Sequence, residues 1–246
     1  MKVSIVTTCY NSASTILGTI ESVKNQTYNN IEHVIIDGGS SDNTLDIIKS
    51  NMNNNTILIS EKDDGCYDAF NKGIKKSSGD LIGFLHSDDI FYSDNVIEDY
   101  CKNIGDAPGI YGDLIYVDSE NINKKIRYWK SKKFNKSNFY FGWMPAHPTL
   151  YLRKKIYEKY GNYRLDYGTG ADCEFMLRVL FKNDIKCEYY PKIVTRMRVG
   201  GLSSNNLKDR LVAHYYDWKA WIDNDISIFP FWVVLKPLSK IKQYFT

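Results

Sequence analysis

Through the first half of the chain, short apolar runs alternate with stretches of helical spacing, and this alternation restricts the fold most. VSIVT is followed by Ile16, Leu17, Ile20 and Val23 at helical intervals, then by HVII, LDIIKS and TILI. A third helix is predicted over CYDAFNKGIKK, where Phe70 and Ile74 stand four apart, and it leads into LIGFL, a fourth central strand. Such a series builds βαβ units around a mostly parallel sheet whose strands are buried on both faces. The expected class is α/β, with helices flanking the sheet. A Rossmann-like half spans residues 1–118, an α+β half of the same domain spans 119–204, and a helical segment spans 205–246. In the second half IYGDLIYVD, KIRYWK and TLYL read as strands, NFYFGWMPAHP as an aromatic loop and ADCEFMLRVLFKN as a helix.

A length of 246 residues, 43% of them hydrophobic, is enough for a substantial core. The net charge of +3 is spread over both signs and gives no case for a nucleic-acid partner. The five cysteines, 9, 66, 101, 173 and 187, form an odd set without a CxxC pair. That argues against a disulfide framework or zinc ribbon and for a reduced, cytoplasmic chain. MKVSIVTTCYN reads as a first strand rather than a leader peptide. No window reaches the ~20 apolar residues of a membrane span, so any membrane contact is expected to be peripheral.

Open parallel sheets bind ligands beyond the carboxyl ends of their strands. Here those ends carry Thr7, Thr8, Cys9, Tyr10 and Asn11 after the first strand, Asp37 after the second, and His86, Ser87, Asp88 and Asp89 after the fourth. Neither GxGxxG nor GxxxxGK[ST] occurs, which disfavours a dinucleotide fold or P-loop. The adjacent acids Asp88 and Asp89 suit a divalent cation, Mg²⁺ or Mn²⁺, bridging to phosphate oxygens; helix capping is the plainer alternative. Asp37 is placed to accept from a base N–H, although Asp-Gly-Gly-Ser is also good turn chemistry. Asp172 shares a helical face with Phe175, Met176 and Val179, which aims it inward as expected of a general base, with an N-cap role as the alternative. Glu174 and Arg178, four apart, read as a surface helix pair.

In order along the chain, SIVTTCYN, VIIDGGSSDNT, SEKDDGCYDAFNKGI, GDLIGFLHSDD and GADCEFMLRVL resemble the successive blocks of the family-2 inverting glycosyltransferases with the GT-A fold. The resemblance covers residues 1 to about 204 and is nearest to bacterial enzymes of O-antigen, capsule or exopolysaccharide synthesis. It implies that Thr8, Tyr10, Asp37 and Asp88 bind the nucleotide, that Asp88 and Asp89 stand for the DxD metal site, and that Asp172 is the catalytic base. It makes 1–118 the nucleotide-sugar half and 119–204 the acceptor and base half. The reaction implied is transfer of one hexosyl group from a nucleotide-diphosphate sugar, UDP-sugar foremost, to a saccharide hydroxyl on a polyprenyl-diphosphate lipid. The implied place is the cytoplasm, at the inner face of the cell membrane.

Three departures from the pattern stand out. His86 occupies the position where the metal motif opens with Asp, Gly38 follows Asp37 where many members have a second acid, and the QxxRW block of processive members is missing. Arg196, Arg198 and the loop VGGLSS are candidates for closing over phosphate. His147, between Pro145 and Pro148, is a candidate for the acceptor or the metal shell, with a structural role as its alternative. The aromatic loop is open between sugar stacking and core filling. The C-terminal Phe229, Phe231, Trp232, Leu235, Leu238, Ile241 and Phe245 with Lys236, Lys240 and Lys242 suit either an anionic membrane surface or the core. Two other functions fit an α/β chain of this kind: a sugar-1-phosphate nucleotidyltransferase, which would want a basic glycine-rich loop after the first strand, and a non-catalytic sugar-nucleotide or glycan-binding module.

Overall fold

The computed structural model describes residues 1–200 and 207–226, with side chains left aside over 207–211. The C-terminal aromatic and lysine residues named above, and the VGGLSS loop beyond Gly200, lie outside the described residues.

Nine strands among these residues form one sheet in the order β3-β2-β1-β4-β8-β6-β9-β5, with β7 paired to β6. β1 (Val3–Cys9), β2 (Ile31–Asp37), β3 (Thr56–Ser60) and β4 (Leu81–Phe84) are all parallel, as the βαβ pattern requires. They are linked by α1 (Ile16–Lys24), α2 (Thr44–Ser50) and α3 (Cys66–Lys76). Alternation sorts their side chains by face: Val34 and Ile36 pack with Phe70 and Ile74 of α3, whereas Ile35 packs with Ile16, Ile20 and Ile48 of α1 and α2. β3 corrects one expectation. As an edge strand it is only half-buried, because β2 covers one of its sides and solvent the other.

Beyond β4 the sheet changes character. β5 (Ile90–Phe91), α4 (Val96–Asn103), β6 (Gly109–Val117), β7 (Lys125–Trp129), β8 (Tyr151–Arg153), α5 (Lys154–Tyr160) and β9 (Glu188–Arg198) follow in chain order. β8 runs antiparallel to β4 and β6, and β9 runs parallel to β6 and antiparallel to β5. One sheet therefore passes through both halves of the chain. α6 (Ala171–Met176) runs into a π-helical stretch, Leu177–Lys182, and α7 (Leu207–Asp223) packs across it. That cover explains a second correction: Glu174 is fully buried, not on the surface. It forks onto Arg178 at 2.8 and 2.9 Å and meets Asn224 of the segment after α7 at 3.4 Å.

Candidate active site

The parallel strands end in a stepped rim. β4 stops opposite Val6, while β1 continues for three residues alongside β2, to Cys9 opposite Asp37. The loops that follow β1 and β2 hold each other through short polar side chains. The Asn11 N–H donates to Ser40 Oγ at 2.8 Å, and the Ser41 N–H to Asn11 Oδ1 at 2.9 Å. Asp42 accepts from the Ala13 and Thr44 N–H groups at 3.1 and 3.0 Å. Asn11 sits at φ 49°, a left-handed conformation that asparagine tolerates well. Ser12 and Ser87 join the same lattice to the acidic loop through hydroxyls 2.9 Å apart.

Asp37 is fully buried and its oxygens are already in use. They accept from the Gly39 and Ser40 N–H groups at 3.1 Å each, from Ser40 Oγ at 2.5 Å and from Ser60 Oγ at 2.7 Å. The turn reading of Asp37 thus describes this structure, and the carboxylate shows no vacant acceptor for a base. Asp63, half-buried in the β3–α3 loop, stands there instead. A Cβ on Gly38 would lie 2.5 Å from its Oδ2. The acid missing after Asp37 in sequence is matched in space by one from 26 residues on. Oδ1 of Asp63 accepts from the Gly65 N–H at 2.9 Å. Asp63 was not singled out by sequence reasoning; the Asp-Asp-Gly following a strand end was its only signal.

Two loop carboxylates, Asp63 and Asp88, and Asp172 at the start of α6 are near enough for their charges to be felt at Cys66. Burial pushes the Cys66 thiol up to about 12, a hydrogen bond with Thr8 opposes this, and the charges of Asp172, Asp63 and Asp88 raise it further. Thr8 Oγ1 lies 4.0 Å from the sulfur, and Tyr10, two residues further along the chain, has 64% of its surface exposed. Asp172 opens α6, half-buried, with Oδ1 accepting from the Cys173 N–H at 2.7 Å. Its neighbours at helical spacing, Phe175, Met176 and Val179, are buried as the periodicity requires. Tyr67 shares a hydrogen bond with Asp172; burial, and then the charge of Asp172, hold the phenol well above its ordinary pKa, so it stays a neutral donor.

The two adjacent acids part company. Asp88 is half-buried at the rim, and its carbonyl accepts from Arg198 Nε at 3.0 Å. Asp89 is fully buried, with Oδ1 accepting from the Arg198 N–H at 3.1 Å and Oδ2 without a partner. Burial, then the charge of Asp88, push its pKa well above the carboxylate range. Asp89 therefore fastens the acidic loop to β9 through Oδ1, and its Oδ2 is left without a protein donor. No group of three or more His, Cys, Asp or Glu side chains is arranged to hold a metal among the described residues. A Mg²⁺ or Mn²⁺ ion needs only one or two carboxylates when phosphate and water supply the rest. Asp88, half-buried at the rim, fits that requirement.

The histidines lie beneath the rim. His147 is nearly parallel to Phe70 and Phe84 at 5.7 and 5.6 Å, and its Nε2 is 2.7 Å from the Tyr163 hydroxyl. Burial, with His86 adding to it, pushes His147 down to about 3, so the ring is neutral where it packs between these aromatics. His86 packs on Phe70 at 5.5 Å. Of the two candidate arginines, Arg198 braces the acidic loop and also donates to the Ser119 carbonyl at 2.8 Å. Arg196 instead holds Asn123 Oδ1 at 3.2 Å and covers the Tyr92 ring. In the aromatic loop Phe139 is buried and Tyr140 packs on Trp221, which answers for core filling, while Phe141 stays 57% exposed.

The fold of this α/β sheet is shared with solved structures. The Staphylococcus aureus TarS 1–349 complex with UDP-GlcNAc superposes with a TM-score of 0.72 at 17% identity, over 92% of this chain and 68% of that one. A mannosyltransferase, PcManGT from Pyrobaculum calidifontis with GDP-Man and Mn²⁺, gives 0.67 at 14% identity, over 95% and 68%. The fold is therefore GT-A. In sequence, an uncharacterized glycosyltransferase of Mycobacterium tuberculosis is 33% identical over 178 residues, 72% of this chain and 68% of the relative. A PGL/p-HBAD biosynthesis glycosyltransferase of Mycobacterium bovis is 28% identical over 84% of this chain and 80% of the relative. The model of glycosyl transferase family 2 matches residues 4–182, and the chain belongs to that family.

Proposed function

We propose that this glycosyltransferase moves one hexosyl group, with inversion, from a nucleotide-diphosphate sugar to a hydroxyl of a saccharide acceptor. UDP-sugar is the leading donor. The acceptor is carried on a polyprenyl-diphosphate lipid during bacterial surface polysaccharide synthesis, at the cytoplasmic face of the membrane. The reading is carried by the rim where Thr8 meets Cys66 and the charges of Asp63, Asp88 and Asp172 are felt at that thiol, in a chain of glycosyl transferase family 2. Asp172 takes the proton of the attacking hydroxyl, a general-base contribution of about 10²–10⁴-fold. Tyr67 orients that carboxylate from below. Asp63 accepts from the nucleotide base, Tyr10 offers it an aromatic face, and Asp37 keeps the turn beneath them rigid. Asp88 holds a divalent cation, Mn²⁺ or Mg²⁺, which when bound supplies Lewis acidity to a departing diphosphate. UDP-GlcNAc in TarS, and GDP-Man with Mn²⁺ in PcManGT, support a donor and cation of this type.

The test is incubation of the protein with a panel of nucleotide sugars and Mn²⁺ or Mg²⁺. Slow, metal-dependent release of nucleoside diphosphate supports the reading. Pyrophosphate release from a nucleoside triphosphate and a sugar phosphate, or binding without turnover, overturns it.

A further inference from the structure

α7 is apolar on two faces, and only one is covered. Its inner face carries the fully buried Ala220 and Trp221. Its outer face carries Val212, Tyr215, Trp218 and Ile222, exposed by 43%, 57%, 47% and 49%. Their spacing of three, three and four residues places them in a single stripe about 120° wide along the helix. Nothing among the described residues covers this stripe.

We propose that the stripe docks α7 on the anionic surface of a lipid bilayer. The inference deepens the membrane-face reading above and rests on it. Tyr and Trp are the side chains favoured at the level of lipid headgroups, with aliphatic neighbours reaching the acyl boundary. Charge favours a bilayer as the occupant. The next twenty residues of the chain, 227–246, carry Lys236, Lys240 and Lys242 and no acid, so the sequence joined to this helix is cationic. Each such lysine contributes about 1 kcal/mol near an anionic surface. A second copy fits less well, since four half-exposed side chains offer a few hundred Å², roughly half of the ~800 Å² per partner in a stable dimer. The chain's own end is hindered by Pro230 and Pro237, which interrupt any helix laid along the stripe.

The position of the stripe gives docking a purpose. The inner side of α7 presses on the segment that leads into Asp172: a Cβ on Gly170 would lie 2.7 Å from Cβ of Tyr216. Tyr167 donates to Asp223 at 2.5 Å. A bilayer under the stripe therefore lies one helix away from the candidate base.

The experiment is sedimentation of the full chain with phosphatidylglycerol-containing vesicles and with pure phosphatidylcholine vesicles, for the wild type and for Tyr215→Ser/Trp218→Ser/Ile222→Ser. The expected result is wild-type binding that prefers the anionic vesicles and falls at least about tenfold in the variant, with the melting temperature and oligomeric state unchanged. Equal binding by both proteins, or equal binding to both lipids, overturns the proposal. A lipid-free dimer that the variant dissolves assigns the stripe to a second copy and overturns it too. So does a melting temperature several degrees lower in the variant, which marks a stripe covered by residues 227–246. No sugar nucleotide enters this measurement, so failure of the donor reading and failure of the docking inference are read separately.

Discussion

The foot and the rim of the central sheet both gather carboxylates, and they treat them in opposite ways. At the foot, Glu32 near the start of β2 is saturated: Ser4 Oγ, the Ser78 N–H and Ser78 Oγ donate at 2.5 Å, and Lys2 pairs with it at 2.5 Å. At the rim, Asp63 and Asp88 have no ion pair among the described residues, and their charges and that of Asp172 are all felt at Cys66. Like charges brought together cost stability, and Arg198 donates to the Asp88 carbonyl rather than to its carboxylate. A carboxylate surrounded by donors holds the fold. One left facing its own kind awaits a cation, a proton or a ligand donor.

Substitutions can break that contrast, and the largest effect belongs at the rim. Asp172→Asn should lower the transfer rate by about 10²–10⁴-fold while donor binding and melting temperature stay near wild type; steady-state kinetics with a donor titration checks this. At the foot the pattern reverses. Glu32→Gln should cost about 1–3 kcal/mol of stability, because Lys2, Ser4 and Ser78 lose a shared acceptor, with activity per folded molecule unchanged in denaturant titrations.

Acid acts on the same residue. Burial works against the Glu32 carboxylate, but hydrogen bonds from Lys2, Ser4 and Ser78 outweigh it and hold its pKa at about 2 against an ordinary 4.5. A depressed carboxylate stabilises the folded state fully above its unfolded pKa, so this contribution disappears as pH falls from about 4.5 toward 2. With Lys2 39% exposed, solvent screening reduces it to about 1–2 kcal/mol, measurable as a stability loss in wild type that Glu32→Gln lacks.

Smaller effects sharpen the division within the rim. Gly38→Ala would push a methyl against Asp63, whose flexible tip can yield; donor affinity should fall about tenfold and stability by under ~1 kcal/mol. Tyr67→Phe should slow transfer by only about threefold, the loss of one orienting hydrogen bond, with donor affinity retained.

How far the sequence could be read follows the same physics. The four parallel strands and three helices of the first half were legible because each carries its own periodicity. β9 was not: EYYPKIVTRMR contains Pro191, which argues against a strand, and the structure places it where the pairing with β6 slips between Tyr111 and Asp113. The acids at strand ends were legible as a group, since topology alone sends them to one rim. Their division of labour was not. Asp89 turns inward because β9, 109 residues away, supplies the Arg198 N–H, and Asp63 reaches Gly38 only through the packing of another loop. Glu174 read as a surface residue because nothing local announces that a later helix will cover it.

The crowding around Cys66 has a chemical consequence. Oxidants and electrophiles consume thiolates rather than thiols, and a sulfur held protonated by its surroundings is a poor target for either. The thiol beside Thr8 thus sits among the rim acids with its reactive thiolate form disfavoured.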